Sequence, residues 1–137
     1  MSEYGSFFGW LIIGGLVLTL MNYPVKWIYR KWISGMDRES GFRRAYLVFQ
    51  KLIVRYHRFF AAFATLMLII HLAIQLQYRW LSVTGLIAAI LMAANGFLGG
   101  YGHYIRKKKP SAWLYVHRSI AVLAVLAVIF HIAMRGR

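Results

Sequence analysis

The chain has no cysteine, which excludes disulfides, thiolate-held iron–sulfur clusters and thioether-linked haem. Acid is almost as scarce. Glu3, Asp37 and Glu39 are the only carboxylate side chains in 137 residues, and none falls in an apolar run. A small-metal site inside such a run would need carboxylates or thiols near its imidazoles, and the runs supply neither. Against three acids stand 17 Lys and Arg, a net charge of +14. The charges lie between the apolar runs, as membrane topology signals do, so nucleic acid is not an expected partner. What the chain has in quantity is hydrocarbon: 61% of residues are hydrophobic and the mean hydropathy is +0.57. A water-soluble domain of this size could not bury so much apolar surface, so membrane lipid is the expected solvent.

Four apolar runs are each near the roughly 20 residues that cross a hydrocarbon core: Phe7 to Tyr23, Phe59 to Leu76, Trp80 to Tyr101 and Ala112 to Met134. The first follows Met-Ser-Glu-Tyr, with neither a basic lead nor a small-residue cleavage site, and reads as a span rather than a signal peptide. Gln77, Tyr78 and Arg79 alone join spans two and three, which implies an antiparallel hairpin. Nine basic residues lie between Pro24 and Arg58 and five between Ile105 and Arg118; only Arg79, Arg135 and Arg137 lie on the other side. The positive-inside rule then makes both basic segments cytoplasmic and both termini external. The plasma membrane of a bacterium or archaeon is the expected location.

The expected architecture is all-α: one domain over residues 1–137, a four-helix transmembrane bundle with a cytoplasmic helical segment, 24–56, between spans one and two. Within that segment Val25 to Ile33 reads as amphipathic, with Trp27, Ile28 and Trp32 on the headgroups and Lys26, Arg30 and Lys31 towards phosphates. Gly35 and Gly41 flank a turn. From Phe42 the run FRRAYLVFQKLIVRYHRFF holds no breaker, so span two is expected to begin there as a helix protruding from the membrane. Pro110-Ser111 marks the start of span four, with Ser111 near the N-cap.

Histidine is rare in a span and faces the protein interior or a functional site. Four of the five histidines form a pattern. His57 and His71 lie 14 residues apart on span two, and His117 and His131 lie 14 apart on span four. Fourteen residues is close to four helical turns, so each pair shares a face and is about 21 Å apart along the axis. Spans two and four run in the same direction, which puts His57 at the depth of His117, near the cytoplasm, and His71 at the depth of His131. Two imidazoles at one depth on facing helices form a six-coordinate site for a haem iron, the second ring nitrogen of each bonding a backbone carbonyl one turn earlier. The alternative for any single histidine is polar glue between helices; two equal spacings on parallel spans weigh against it. His103, beside Arg106 to Lys109, reads as a surface loop residue, with a quinone or propionate contact as the lesser alternative.

Spans two and four resemble an internal repeat at offset 60, in which His57-Arg58 matches His117-Arg118. Arg58 and Arg118 suit haem propionates in fork geometry, or serve as positive-inside anchors. Gly85 and Gly99 on span three repeat the 14-residue spacing, and small residues there would let a porphyrin or a helix come close to the backbone. Gly85 is expected at the outer haem and Gly99 at the inner one.

Two His-x13-His helices in a four-helix core resemble the di-haem b-type membrane cytochromes, which include the N-terminal half of the quinol–cytochrome c oxidoreductase cytochrome b and the haem domain of ferric reductases and NADPH oxidases. The resemblance covers about Arg55 to Met134. It implies that His57 and His117 ligate an inner haem b and His71 and His131 an outer one, with Gly85 and Gly99 as the spacing glycines. It departs from those families in having no second half with a quinol-oxidation site, no flavin or nicotinamide domain, and no Gly-x-Gly-x-x-Gly phosphate loop. Electrons would have to come from a quinone or from partner redox subunits. The expected function is transmembrane electron transfer as the membrane subunit of a quinone-linked or respiratory oxidoreductase. The rival readings are a stand-alone quinol-dependent or metal-ion reductase, for which a polar pocket near Gln75, Gln77 and Arg135 would speak, and a haem-free membrane anchor.

Overall fold

A computed structural model describes residues 2–78, 81–107 and 111–135. Arg79, Trp80, Lys108, Lys109, Pro110 and Arg137 of the sequence reading lie outside the described residues, as does the side chain of Arg135. The fold class is all-α, with no strand among the described residues. Helix α1 is Ser2–Leu20 and α2 is Asn22–Ile28, which passes into a π-helical turn at Tyr29–Ile33. Then come α3, Gly41–Tyr78, α4, Val83–Tyr104, and α5, Ala112–Arg135. Four helical stretches are long and apolar enough to cross a membrane: Glu3–Ile33, Gly41–Gln77, Val83–Tyr104 and Ala112–Met134.

The chain divides between Met67 and Leu68 into two compact units. The first holds α1, α2, the π turn and the first two thirds of α3. Here α1 and α3 are antiparallel neighbours: Gly15 lies against Phe63 and Ala64, and Thr19 meets His57. A Cβ on Gly15 would stand 3.0 Å from the Ala64 Cβ, so the helices touch nearly backbone to backbone. The contact continues past Met21, where the Tyr46 hydroxyl donates to the Val25 carbonyl at 2.9 Å. Met21 interrupts the helix because Pro24, three residues on, has no N–H for the Leu20 carbonyl and its ring crowds that oxygen.

Beyond this break the expected headgroup segment is a helix that tightens its own aromatic cluster. The Ser34 N–H donates to the Tyr29 carbonyl at 2.8 Å, an i to i−5 bond that widens the turn. Trp27 and Trp32 are five residues apart and meet edge to face at 5.2 Å, with the Lys31 ammonium 4.8 and 4.9 Å from their ring centres. Val25 and Ile33 of this stretch are buried. The turn to α3 is tied by arginine. The Arg43 Nη1 donates to the Met36 carbonyl at 2.6 Å and the Arg44 Nη2 to the Glu39 carbonyl at 3.1 Å.

Helix α3 begins at Gly41, one residue before the expected Phe42. Its 38 residues make a rod of about 57 Å at 1.5 Å per residue. Even tilted by about 40°, a rod of that length exceeds a hydrocarbon core of about 30 Å, so part of it protrudes.

The second unit holds the end of α3 with α4 and α5. Helices α4 and α5 are antiparallel. Gly85 faces His131, Gly99 faces His117 and Gly102 faces Trp113, so position numbers rise on one helix as they fall on the other. Helix α4 starts three residues later than the Trp80 expected from the apolar run. Ser82 is the reason: it is extended (φ −74°, ψ 135°) and its hydroxyl accepts the Gly85 N–H, an N-cap that sets the first turn at Val83. The helix also ends later, at Tyr104, which places His103 in its last turn rather than in a loop. Lys107, at φ 48°, turns the chain away after it. Ala88, Ala89 and Ala124 are buried in this unit. Small side chains supply the close approach, and most large apolar ones, such as Phe97 at 82% exposed, face outwards as lipid-facing residues do.

Candidate functional site

The four patterned histidines are all half-buried. Each has a place set by its helix, and for three of them the structure gives the partner of Nδ1. In the first unit, His57 on α3 directs Nδ1 at the carbonyl of Thr19, 2.9 Å away. Thr19 lies in the last turn of α1, where carbonyls lack intrahelical partners, and its hydroxyl turns back to the Gly15 carbonyl at 2.8 Å. In the second unit, His117 Nδ1 lies 3.2 Å from the Asn95 carbonyl on α4. A carbonyl has two lone pairs, so it can accept from His117 while remaining in the helix ladder. His131 Nδ1 lies 3.0 Å from the Thr84 hydroxyl and 3.4 Å from that of Ser82. His71 lies on α3 within the second unit.

A carbonyl only accepts, so His57 and His117 carry a proton on Nδ1, and in the neutral ring the lone pair is on Nε2. That is the tautomer of an imidazole ready to ligate iron or zinc through Nε2, its ring angle fixed by an outer hydrogen bond. The partner differs from the expectation. It is not the carbonyl one turn earlier on the same helix but one on the adjacent helix, 38 residues away for His57 and 22 for His117. The histidine helix's own carbonyls are directed along its axis into its own ladder, whereas an imidazole projects sideways.

The glycines of α4 lie where the histidines of α5 need room. A Cβ on Gly85 would stand 2.9 Å from His131 Cε1 and 2.8 Å from Ser82 Oγ; on Gly99 it would stand 3.4 Å from His117 Cε1, an ordinary contact. Within this unit, then, Gly85 gives clearance to an imidazole and to the helix cap, and Gly99 only touches an imidazole. Arg58 and Arg118 are exposed, each one residue after a half-buried histidine. His103 is half-buried and meets Tyr104 edge to face at 4.8 Å. The Oδ1 of Asn95 is buried and has no hydrogen-bond partner among the described residues. It belongs to the same residue whose carbonyl holds His117.

Thr19, Ser82, Thr84 and Asn95 did not stand out in the sequence. Thr84 and Ser82 had a faint signal, two hydroxyls just ahead of a glycine that repeats the histidine spacing; Thr19 and Asn95 act through main chain and had none. Comparison with known protein families, with curated proteins and with solved structures finds no match to this chain.

Proposed function

We propose that this chain is an integral membrane electron carrier that holds two b haems, the inner between His57 and His117 and the outer between His71 and His131. The pairing comes from the sequence register: two equal 14-residue spacings on spans that run in the same direction. The observation that carries the reading is the anchoring of Nδ1. His57 and His117 are held through Nδ1 by oxygen acceptors, so that in the neutral ring the lone pair is on Nε2. Polar glue makes hydrogen bonds of this kind too; it does not call for a spacing repeated on two helices. The donor set also fits the group, since the chain has no cysteine, its four apolar runs hold no carboxylate, and imidazole is an established ligand of haem iron.

Bound there, haem b would supply a one-electron ferric–ferrous couple, and His57, His117, His71 and His131 are the residues that would hold it. The protein's own part is to hold the rings, keep water out with the apolar helices and place positive charge near the cytoplasmic level. Arg58 and Arg118 suit the inner propionates as fork-shaped donors. Gly85 clears the space in which His131 stands, and Gly99 lies in ordinary contact with His117. The basic segments face the cytoplasm and both termini the outside, in the plasma membrane of a bacterium or archaeon. Electrons enter and leave through a quinone or through partner redox subunits, as in a respiratory oxidoreductase. Stand-alone reduction of a metal ion at the outer haem and a haem-free anchor are the rival readings.

The test is a reduced-minus-oxidised visible spectrum of the purified protein with the haem-to-protein ratio. Two haems per chain are expected. His71→Ala should lose the outer haem and keep the inner. A protein that shows no Soret band after expression with ample haem would refute the proposal.

A further inference from the structure

The histidine anchors are not alike. His57 and His117 bond to main-chain carbonyls, which no side-chain substitution removes. His131 bonds to a side-chain hydroxyl, that of Thr84, with Ser82 as a longer second neighbour. We infer that Thr84 is the positioning residue that accepts the Nδ1 proton of His131 and sets its donor strength, so that the His131 site is tuned by a side chain where the His117 site is tuned by backbone. This rests on the haem reading above and deepens it.

The geometry gives Thr84 this role and not Ser82. At 3.0 Å Thr84 lies within ordinary hydrogen-bond range of the ring nitrogen, whereas 3.4 Å is beyond it. Ser82 is also engaged, since its hydroxyl accepts the Gly85 N–H at 3.1 Å to cap α4. Thr84 is held in the first turn of the same capped helix. Gly85 is the next residue, and its missing side chain lets the imidazole lie against the backbone there. Cap, hydroxyl and glycine together make a cradle built from four consecutive residues, Ser82 to Gly85.

A hydroxyl is a weaker acceptor than an amide carbonyl and can also donate. It therefore pulls less on the Nδ1 proton and leaves His131 a less electron-rich ligand than His117. Removing the hydroxyl should go further the same way: less electron density reaches the iron and the ferrous form gains.

The experiment compares wild type with Thr84→Val, which keeps the shape, and Thr84→Ser, which restores the hydroxyl. Haem loading at limiting haem and the midpoint potential of each haem are measured, with His71→Ala identifying the outer component. In Thr84→Val the outer haem should bind about 10–100-fold more weakly, the usual cost of losing such a partner, and its potential should rise while the inner one stays put. Thr84→Ser should return both towards wild type. Thr84→Ala repeats the comparison should the valine variant fail to accumulate. In the haem-free chain, ring nitrogen-15 shifts should show His131 protonated on Nδ1 in wild type and divided between tautomers in Thr84→Val. Equal loading, potentials and ring shifts in all variants would overturn the inference and leave the haem reading standing. So would equal damage at both haems, which marks a merely structural threonine. A wild type that takes up no haem, yet shows the Thr84-dependent tautomer, would sink the haem reading and leave the positioning role intact.

Discussion

One added methyl group, placed at either of two glycines, should have opposite consequences. At Gly85 the new Cβ would lie 2.9 Å from His131 Cε1 and 2.8 Å from Ser82 Oγ, whereas ordinary contact begins near 3.4 Å. His131 and the helix cap would each have to retreat by about 0.5 Å, and they cannot both do so without stretching the Thr84 bond. Overpacking of this kind costs about 1–3 kcal/mol, and the better helix propensity of alanine returns at most about 1 kcal/mol. A net loss of about 1 kcal/mol at the His131 site, and at most about 2, corresponds to roughly 5- to 30-fold in affinity for whatever that ring ligates. At Gly99 the added Cβ stands 3.4 Å from His117 Cε1, so Gly99→Ala should be neutral or slightly stabilising. The assay is haem-to-protein ratio at limiting haem together with thermal unfolding in detergent. Gly85→Ala should lose outer haem selectively and Gly99→Ala should keep both. If the two variants behave alike, the clearance argument is wrong.

Gly102→Ala should weaken the α4–α5 pair by about 1–3 kcal/mol, because its methyl would run into the indole of Trp113; a lowered unfolding temperature with both haems retained checks it. Asn95→Leu should leave His117 and its haem unchanged, because the histidine bonds to the main-chain oxygen and not to the amide. Removing a buried, unpartnered Oδ1 should if anything raise stability, so loss of the inner haem in that variant would contradict the assignment. Tyr46→Phe should cost about 1 kcal/mol by deleting the hydroxyl bond to the Val25 carbonyl. Limited proteolysis between α2 and α3 should then speed up, and unchanged cleavage would count against that tie.

The parts legible in the sequence were those written as long periodic or uniform stretches. Span four begins at Ala112 in both readings, because an apolar run follows Pro110-Ser111. Helix α3 was recognisable from Phe42 onwards by its lack of any breaker. Less was visible wherever a single hydrogen bond decides. Trp80 to Gly85 reads as the opening of one apolar run because Ser82 and Thr84 carry no charge, and the Ser82 hydroxyl on the Gly85 N–H fixes the helix start at Val83. The π turn at Tyr29–Ile33 has no periodic signature, so the stretch from Val25 read as a plain amphipathic helix. The histidine spacing was legible because it is local arithmetic along one helix. The anchors of His57 and His117 were not, because a main-chain oxygen on another helix carries no side-chain identity. His103 looked like loop because a basic cluster follows it; the α4 ladder continues one turn into that polar stretch.

The arginine-tied turn and the Tyr46 bond make the stretch from Val25 to about Phe49 a prebuilt platform. Its cations, among them Lys31 wedged by two indoles and Arg43 and Arg44 each committed to a carbonyl, sit on ordered backbone. A negatively charged protein that alights there would freeze little of this surface, so affinity would not be eroded by ordering entropy. Capture would be quick and markedly dependent on ionic strength. Release would be governed by how well the visitor's own groups fit, so that transient, repeated encounters are the traffic such a landing place favours.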